Sequence, residues 1–455
     1  MFFRNILISF FLFISSYDCF DFFSKGSVIL DDEIEMILGR FASDLSSAAK
    51  IKGSPKLKIN IIVDESINAF ATVGRQIYVN TALILSCDSY EEFLGVISHE
   101  TAHISGGHVV RMMGAYEKNS AISVAGTLLG GLVAIATGNA SLLVAGAMTS
   151  SHISERSFLK SMRSVETEAD DNAHKYLAIM GVSANGLHKF LGKLREANSI
   201  TSQEKYTRSH PLSKDRMSRL KSMINRDKNQ YKKNFEYESL FNILKAKISG
   251  ILIDPKAVIK KYDSQTIPDL MAKSIAYSRM GNIKKAIENI DKAISIKKSA
   301  FLYEIKAQIL FESSGRLGAS KSSIKDSKNL MNKSYEMSGK KTWISVAYAH
   351  MLSEIGDDND YKKAISILNS HDYRTRDYPF VWRIKAKLYG KLGNVSKSRL
   401  MIVEEAIASG DMVRARKISQ GLLSSLKSRL NNSSKSEKME VVSLINKVKD
   451  ILNSI

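Results

Sequence analysis

Cysteine and proline are both scarce: the chain has two cysteines, Cys19 and Cys87, and five prolines in 455 residues. Cys19 lies at the end of a leader-like stretch. Without it a single cysteine remains, which forms no internal disulfide, so cysteine usage neither supports nor forbids an oxidising compartment. So few prolines leave helices uninterrupted, and the frequent Ala, Leu, Ile and Lys favour them. Acid is short as well: 46 Asp and Glu stand against 66 Lys and Arg, a net charge of +20. That balance favours acidic partners such as anionic lipid headgroups or acidic polypeptides. It does not extend to nucleic acid, because no nucleic-acid motif occurs. The plainer account of the charge is lysine spread over helix surfaces. The length allows two or three domains, each with a full core.

Apolar runs of membrane-spanning length are also wanting. Residues 1–16 read as a secretory signal: Arg4 gives the positive start, and Ile6 to Ile14 is too short to span. Tyr17-Asp18-Cys19 is a poor match to a cleavage site, so an uncleaved anchor is the second reading. From Asn119 to Ile153 there is no Lys, Arg, Asp or Glu. Ala121 to Thr137 and Leu142 to Met148 then form two apolar runs around Gly138-Asn139. They read as a hydrophobic helical hairpin within 119–153 that packs on the core or touches lipid; a pair of spans is the alternative, for which the first run barely reaches the minimum of roughly 17 residues and the second does not.

What is present is His99-Glu100-Thr101-Ala102-His103. Ser89 and Glu92 stand at capping-box spacing before it, and Phe93, Val96 and Ile97 give a buried stripe, so the motif sits on a helix. Residues four apart share a helix face, so His99 and His103 aim at one point, where two neutral imidazoles suit Zn²⁺. Glu100 turns toward the open side and can take a proton from a metal-activated water. A chance HExxH is expected on the order of 0.01 times in a chain with nine histidines, so accident is a poor account. Two surface histidines one turn apart is the bland reading, which a third ligand would displace. Val165-Glu166-Thr167-Glu168-Ala169-Asp170 supplies one. Glu166 completes a two-His, one-carboxylate set. Asp170, one turn later, can accept the second ring N–H of a ligand histidine. Alone, that segment would read as a solvated acidic face.

Around this pair, Asp31 to Lys50 reads as a helix, Lys56 to Val63 as a strand, and Arg75 to Thr81 as a second strand. Ile77, Tyr78 and Val79 can offer an edge to an extended substrate, or they are core. His108, five residues past His103, drifts off the metal face and reads as structural. His174 and His188 lack ligand spacing. His210, before Pro211, must be extended or in a turn, which suits presentation to a cleft.

A charged stretch, 225–236, reads as a linker. Beyond it, Ala272, Ala276, Tyr277, Gly281, Ala286, Ile290 and Ala293 follow the small/large pattern of a tetratricopeptide repeat, and Gly281 and Gly315 lie 34 residues apart. Residues 237–455 are therefore expected to form a helical repeat solenoid with a concave binding face. A non-repeating bundle is the alternative.

Asn68-Ala69-Phe70-Ala71, the HExxH, the ExxAD segment and Ser209-His210-Pro211 together resemble the zinc metallopeptidase family that includes the CAAX prenyl proteases and HtpX. The likeness covers about Asp31 to Leu220. It implies a mostly α fold with a small β-sheet, an α+β metallopeptidase domain over 31–224, and one zinc held by His99, His103 and Glu166. It implies Glu100 as catalytic base and His210 on a loop able to cover or ligate the zinc. With a leader in front and helical repeats behind, the chain resembles the family's periplasmic members that act on stalled or misfolded polypeptides in outer-membrane quality control. Peripheral membrane contact and contact with the assembly machinery go with that resemblance. An assembly scaffold with latent proteolysis is the competing expectation. Thr72-Val73-Gly74-Arg75 departs from the family's Pro-Gly-Gly, which bears on the substrate edge.

Overall fold

The computed structural model describes residues 5–7, 27–111, 152–196, 206, 210–314, 321–431 and 434–455. The leader otherwise falls outside the described residues, as does nearly all of the apolar stretch 119–153. Among the described residues the chain is mostly helical with one small sheet, and no described helix is long and apolar enough to cross a membrane. Contacts divide it into two compact units, the first ending at Asn282 and the second running from Ile283 to Ile455.

In the first unit, strands β1 (Asn5–Leu7), β2 (Val28–Leu30), β3 (Lys58–Ile62), β4 (Ala69–Thr72) and β5 (Gln76–Asn80) form a sheet in the order β1-β2-β3-β5-β4. β3 and β5 run parallel with Ile59 opposite Ile77 and Ile61 opposite Val79, all four buried. β4 turns back antiparallel on β5 through Val73-Gly74-Arg75. Gly74 (φ 75°) and Arg75 (φ 59°) both take left-handed backbone there, the geometry of a tight hairpin. Ile77, Tyr78 and Val79 are therefore not an edge: β3 and β4 flank them on both sides, and among the described residues the edge expected at that strand lies on β4 instead. The alternation of β5 gave a strand, but the hairpin that covers it depends on long-range pairing.

Helix α1 (Asp32–Ala48) starts at Asp31, whose carboxylate accepts from the backbone N–H groups of Glu33 and Ile34 at 3.0 and 2.9 Å. Ile34, Ile37, Leu38, Phe41 and Leu45 then bury one face. Short α2 (Thr81–Ser86) leads to α3 (Tyr90–Ser105), buried almost throughout from Phe93 to His103, which makes it the central helix of the unit. Against it lie α4 (His152–Ile179) and α5 (Asn185–Glu196). A Cβ on Gly186 would come within 2.3 Å of the Glu91 backbone, so only glycine lets α5 approach α3 this closely. Glu92 fastens the same junction, accepting from Lys193 Nζ at 2.6 Å.

After α6 (Lys214–Arg226), helix α7 (Phe235–Leu252) returns to this core. Phe241 stacks on Phe93 with ring centroids 5.6 Å apart, and buried Lys247 reaches Asp31 and Glu33 at 2.8 and 2.9 Å. The helix that follows the charged stretch 225–236 thus adds to the first unit's core. Helices α8 (Pro255–Lys261) and α9 (Ile267–Arg279) complete the unit.

The second unit comprises α10 (Ile283–Ile296), α11 (Ala300–Ser314), α12 (Lys321–Met337), α13 (Thr342–Ile355), α14 (Asp358–Asn369), α15 (Asp372–Thr375), α16 (Pro379–Lys391), α17 (Val395–Ala408), α18 (Met412–Asn431) and α19 (Lys435–Ser454). Most of these helices pack on their sequence neighbours. Trp343 is buried, and Tyr378 stands edge-on to it at 5.0 Å. These aromatics fill helix contacts, and Phe380 stands 6.3 Å from Tyr378.

Candidate metal centre

Helix α3 carries His99 and His103 one turn apart, and their Nε2 atoms meet at 3.0 Å. Helix α4 packs against it, with Ala169 and Ala173 fully buried on α4, and carries Glu166 to the pair. Glu166 Oε2 lies 3.3 Å from His99 Nε2 and Oε1 lies 3.4 Å from His103 Nε2. His210 Nδ1 adds a fourth donor, 3.3 Å from His99 Nε2 and 3.1 Å from Glu166 Oε2. One ligand atom from each of these four buried residues lies within 4.8 Å of all the others. Three imidazoles and a carboxylate at such range match the N/O donor set that zinc prefers.

Two further observations fit a cation there. Among the described residues Glu100 Oε1 and His210 Nε2 are buried and make no hydrogen bond, although they face each other at 3.3 Å. The orientation of His99 is also fixed: its Nδ1 lies 2.9 Å from Asp170 Oδ1, which leaves Nε2 for the shared point.

Arg216, on the first turn of α6, holds the carboxylates in place. Its Nε donates to Asp170 Oδ2 at 2.7 Å and its Nη2 to Oδ1 at 2.9 Å, while Nη1 stands 2.9 Å from Glu166 Oε2. Ser213 caps that helix, accepting from the Arg216 backbone N–H at 3.2 Å. Sequence reasoning passed over Arg216. The signal was available: two carboxylates expected in a buried centre need a buried cation, and Arg216 follows His210 by six residues. Tyr206 was missed too; its ring lies 4.7 Å from the His210 ring at 33° and is fully buried.

The charges follow from this packing. Burial raises the Glu100 carboxyl above its ordinary range, with His210 and His99 pulling the other way. Its carboxylate also accepts a backbone hydrogen bond from Ala71, so edge strand β4 touches the group. Burial pushes Glu166 the same way, but His210, His99 and His103 outweigh it and hold its carboxyl well below the usual carboxylate value. Burial opposes charge on His99, yet Asp170 and Glu166 push it up to about 10. A metal held by His99 would take the place of that proton. Burial keeps His103 well below its ordinary value and hence neutral.

Of the residues singled out from sequence, His99, Glu100, His103, Glu166, Asp170 and His210 come together. Ile77, Tyr78 and Val79 are inside the sheet. His174 stands apart, with Nε2 3.5 Å from Asp227 Oδ2. His108 is not one of the grouped ligand residues and lies against His103, with its Nδ1 3.0 Å from His103 Nδ1.

Residues 31–224 match the family described as Peptidase family M48. Over 159 residues the chain is 30% identical to a putative beta-barrel assembly-enhancing protease of Vibrio cholerae serotype O1, covering 35% of this chain and 32% of that protein. It is 26% identical over 167 residues to the beta-barrel assembly-enhancing protease of Escherichia coli K12, covering 36% and 34%. Metalloprotease LoiP of Escherichia coli K12 is 26% identical over 215 residues, covering 47% of this chain and 80% of that protein. The match spans about a third of the length of the first two relatives.

Proposed function

We propose, for a chain whose residues 31–224 are a domain of Peptidase family M48, that it is a zinc-dependent endopeptidase of the cell envelope. The observation that carries this is the meeting of His99, His103 and Glu166 with Glu100 buried beside them. Zinc bound there supplies Lewis-acid polarisation of a carbonyl and lowers the pKa of a water. The chain's own groups do the rest. Glu100 takes a proton from the water that attacks the peptide carbon and returns it to the leaving nitrogen. Its burial favours the protonated form it must pass through. Asp170 holds His99 at Nδ1, and Arg216 keeps Asp170 and Glu166 ionised and oriented. The free edge of β4, in backbone contact with Glu100, is where an extended peptide can add as a further strand.

The substrates we infer are misfolded or stalled polypeptides, and the setting we infer is outer-membrane protein assembly in the periplasm. Two of the relatives are named for beta-barrel assembly enhancement, and residues 1–16 read as a secretory leader. We assign recruitment of substrate or assembly machinery to residues 237–455 as a tetratricopeptide-type array. The 34-residue spacing of Gly281 and Gly315 and the packing of helices on sequence neighbours support that reading. The uncharged stretch 119–153 is our candidate for peripheral lipid contact.

A second reading is favoured by His210. Its Nδ1 stands among the other donors, and as a fourth ligand it would compete with water for the open position. The chain would then act mainly as a chaperone or assembly scaffold with latent proteolysis. The test is zinc content and cleavage of unfolded casein by the purified full chain, wild type against Glu100→Gln. Rescue by Glu100→Gln of cells lacking the protein would favour the scaffold; cleavage that survives the substitution would sink the peptidase.

A further inference from the structure

Asp170 accounts for only one of the two helix histidines. His103 Nδ1 has a different partner, His108 Nδ1, at 3.0 Å. The two rings stand 5.1 Å apart at 73°. Both helix histidines turn Nε2 to the shared point. An imidazole that ligates through Nε2 keeps its proton on Nδ1 and needs an acceptor there. For His99 the acceptor is Asp170. For His103 it is a neutral ring nitrogen, and a neutral histidine that accepts at Nδ1 carries its own proton at Nε2. His108 Nε2 is buried and makes no hydrogen bond among the described residues, and Glu168 Oε2, 3.4 Å away, is the carboxylate oxygen placed to approach its proton.

The backbone is shaped to bring His108 back. A continuous helix would carry position 108 away from the metal-facing side of α3. Instead the helix ends at Ser105, and Gly107 takes a left-handed φ of 66°. A Cβ on Gly106 would lie 2.7 Å from His108 Nε2, so the ring folds over a residue with no side chain. The result is a histidine only 1% exposed, on the far side of His103 from the other donors.

We propose that His108 is a positioning residue for the metal centre: it accepts the Nδ1 proton of His103, and Glu168 orients His108 through Nε2. This rests on the zinc reading of the centre. Zinc affinity of the full chain, by competition with a chromophoric chelator, is compared for wild type, His108→Phe and His108→Asn. Phenylalanine keeps the bulk and removes the acceptor; asparagine places an amide oxygen near the Nδ1 position. Expected are a 10–100-fold weaker Kd for H108F and recovery to within about threefold for H108N. Imidazole ¹H–¹⁵N spectra of the zinc-loaded wild type should show His103 protonated at Nδ1 and His108 at Nε2. Equal affinity in H108F and wild type overturns the proposal, as does loss in H108N equal to that in H108F, because packing then explains both. So does a wild-type His108 protonated at Nδ1 alone, a result that needs no variant to fold. Wild type taking up no zinc would sink the reading of the centre and this proposal with it; the other failures leave that reading standing.

Discussion

Arg216 grips Asp170 with two nitrogens, at 2.7 and 2.9 Å, and both side chains are almost wholly buried. A paired guanidinium and carboxylate of this kind contribute little net stability relative to apolar groups of the same shape, but removing one partner strands the other. Arg216→Met leaves Asp170 and Glu166 without their cation. The expected cost is about 3–5 kcal/mol, read as a lower urea midpoint by far-UV circular dichroism. Arg216→Lys should recover only part, because an ammonium cannot span the two oxygens as a planar fork does. An unchanged midpoint for Arg216→Met would show that the clamp does not hold the fold.

Glu100→Gln keeps the shape and removes the base. Proteolysis should fall by at least about a hundredfold, the usual size of a general-base contribution, while zinc content stays near one per chain. Glu166→Gln should show the opposite priority, losing zinc first. Excess chelator should lower the thermal midpoint of wild type, because an ion at a hundred times its Kd adds about 2.7 kcal/mol to the folded state. Loss of zinc with retained activity in Glu166→Gln would overturn its place among the ligands.

His210→Ala separates the two functional readings. It deletes one of four donors and frees a site beside Glu100. If His210 blocks the water position, casein turnover rises while zinc affinity falls modestly. If His210 instead helps hold substrate or charge in the reaction, turnover drops with zinc retained. Parallel measurement of kcat and bound zinc distinguishes these outcomes.

The helix of the HExxH was legible because its cap, its apolar stripe and its histidine spacing are all local. Ser89 caps α3, and Phe93, Val96 and Ile97 are buried as their period requires. Glu166 and Asp170 were legible by the same four-residue spacing on a second helix. The free edge was not, because β5 shows the same alternation whether or not β4 covers it, and only the Val73-Gly74-Arg75 hairpin decides. That His108 packs on His103 Nδ1 was not legible, because it depends on the Gly106-Gly107 turn that follows the helix end at Ser105. Arg216 was hidden for a different reason: its value lies in the charges it meets, Asp170 and Glu166, which are 46 and 50 residues earlier in the chain.

The second unit carries its own pH dependence, away from the metal centre. Burial lowers His350 from 6.5 to about 4; Glu354 pulls it up and Lys387 pushes it down, and the Phe311 ring stands edge-on at 6.4 Å. Because the folded state takes the proton only near 4, the unfolded chain binds more protons between pH 6.5 and 4. Stability contributed by neutral His350 is therefore fully present above 6.5 and is lost as pH falls through that window. The loss should be about 3 kcal/mol by pH 4. Both tryptophans of the chain, Trp343 and Trp382, lie in this unit, so tryptophan fluorescence reports it selectively. Urea midpoints of the full chain at pH 7, 5.5 and 4 should drop more steeply for wild type than for His350→Gln, which has no proton to gain. Parallel slopes for the two proteins would place the acid sensitivity in other groups.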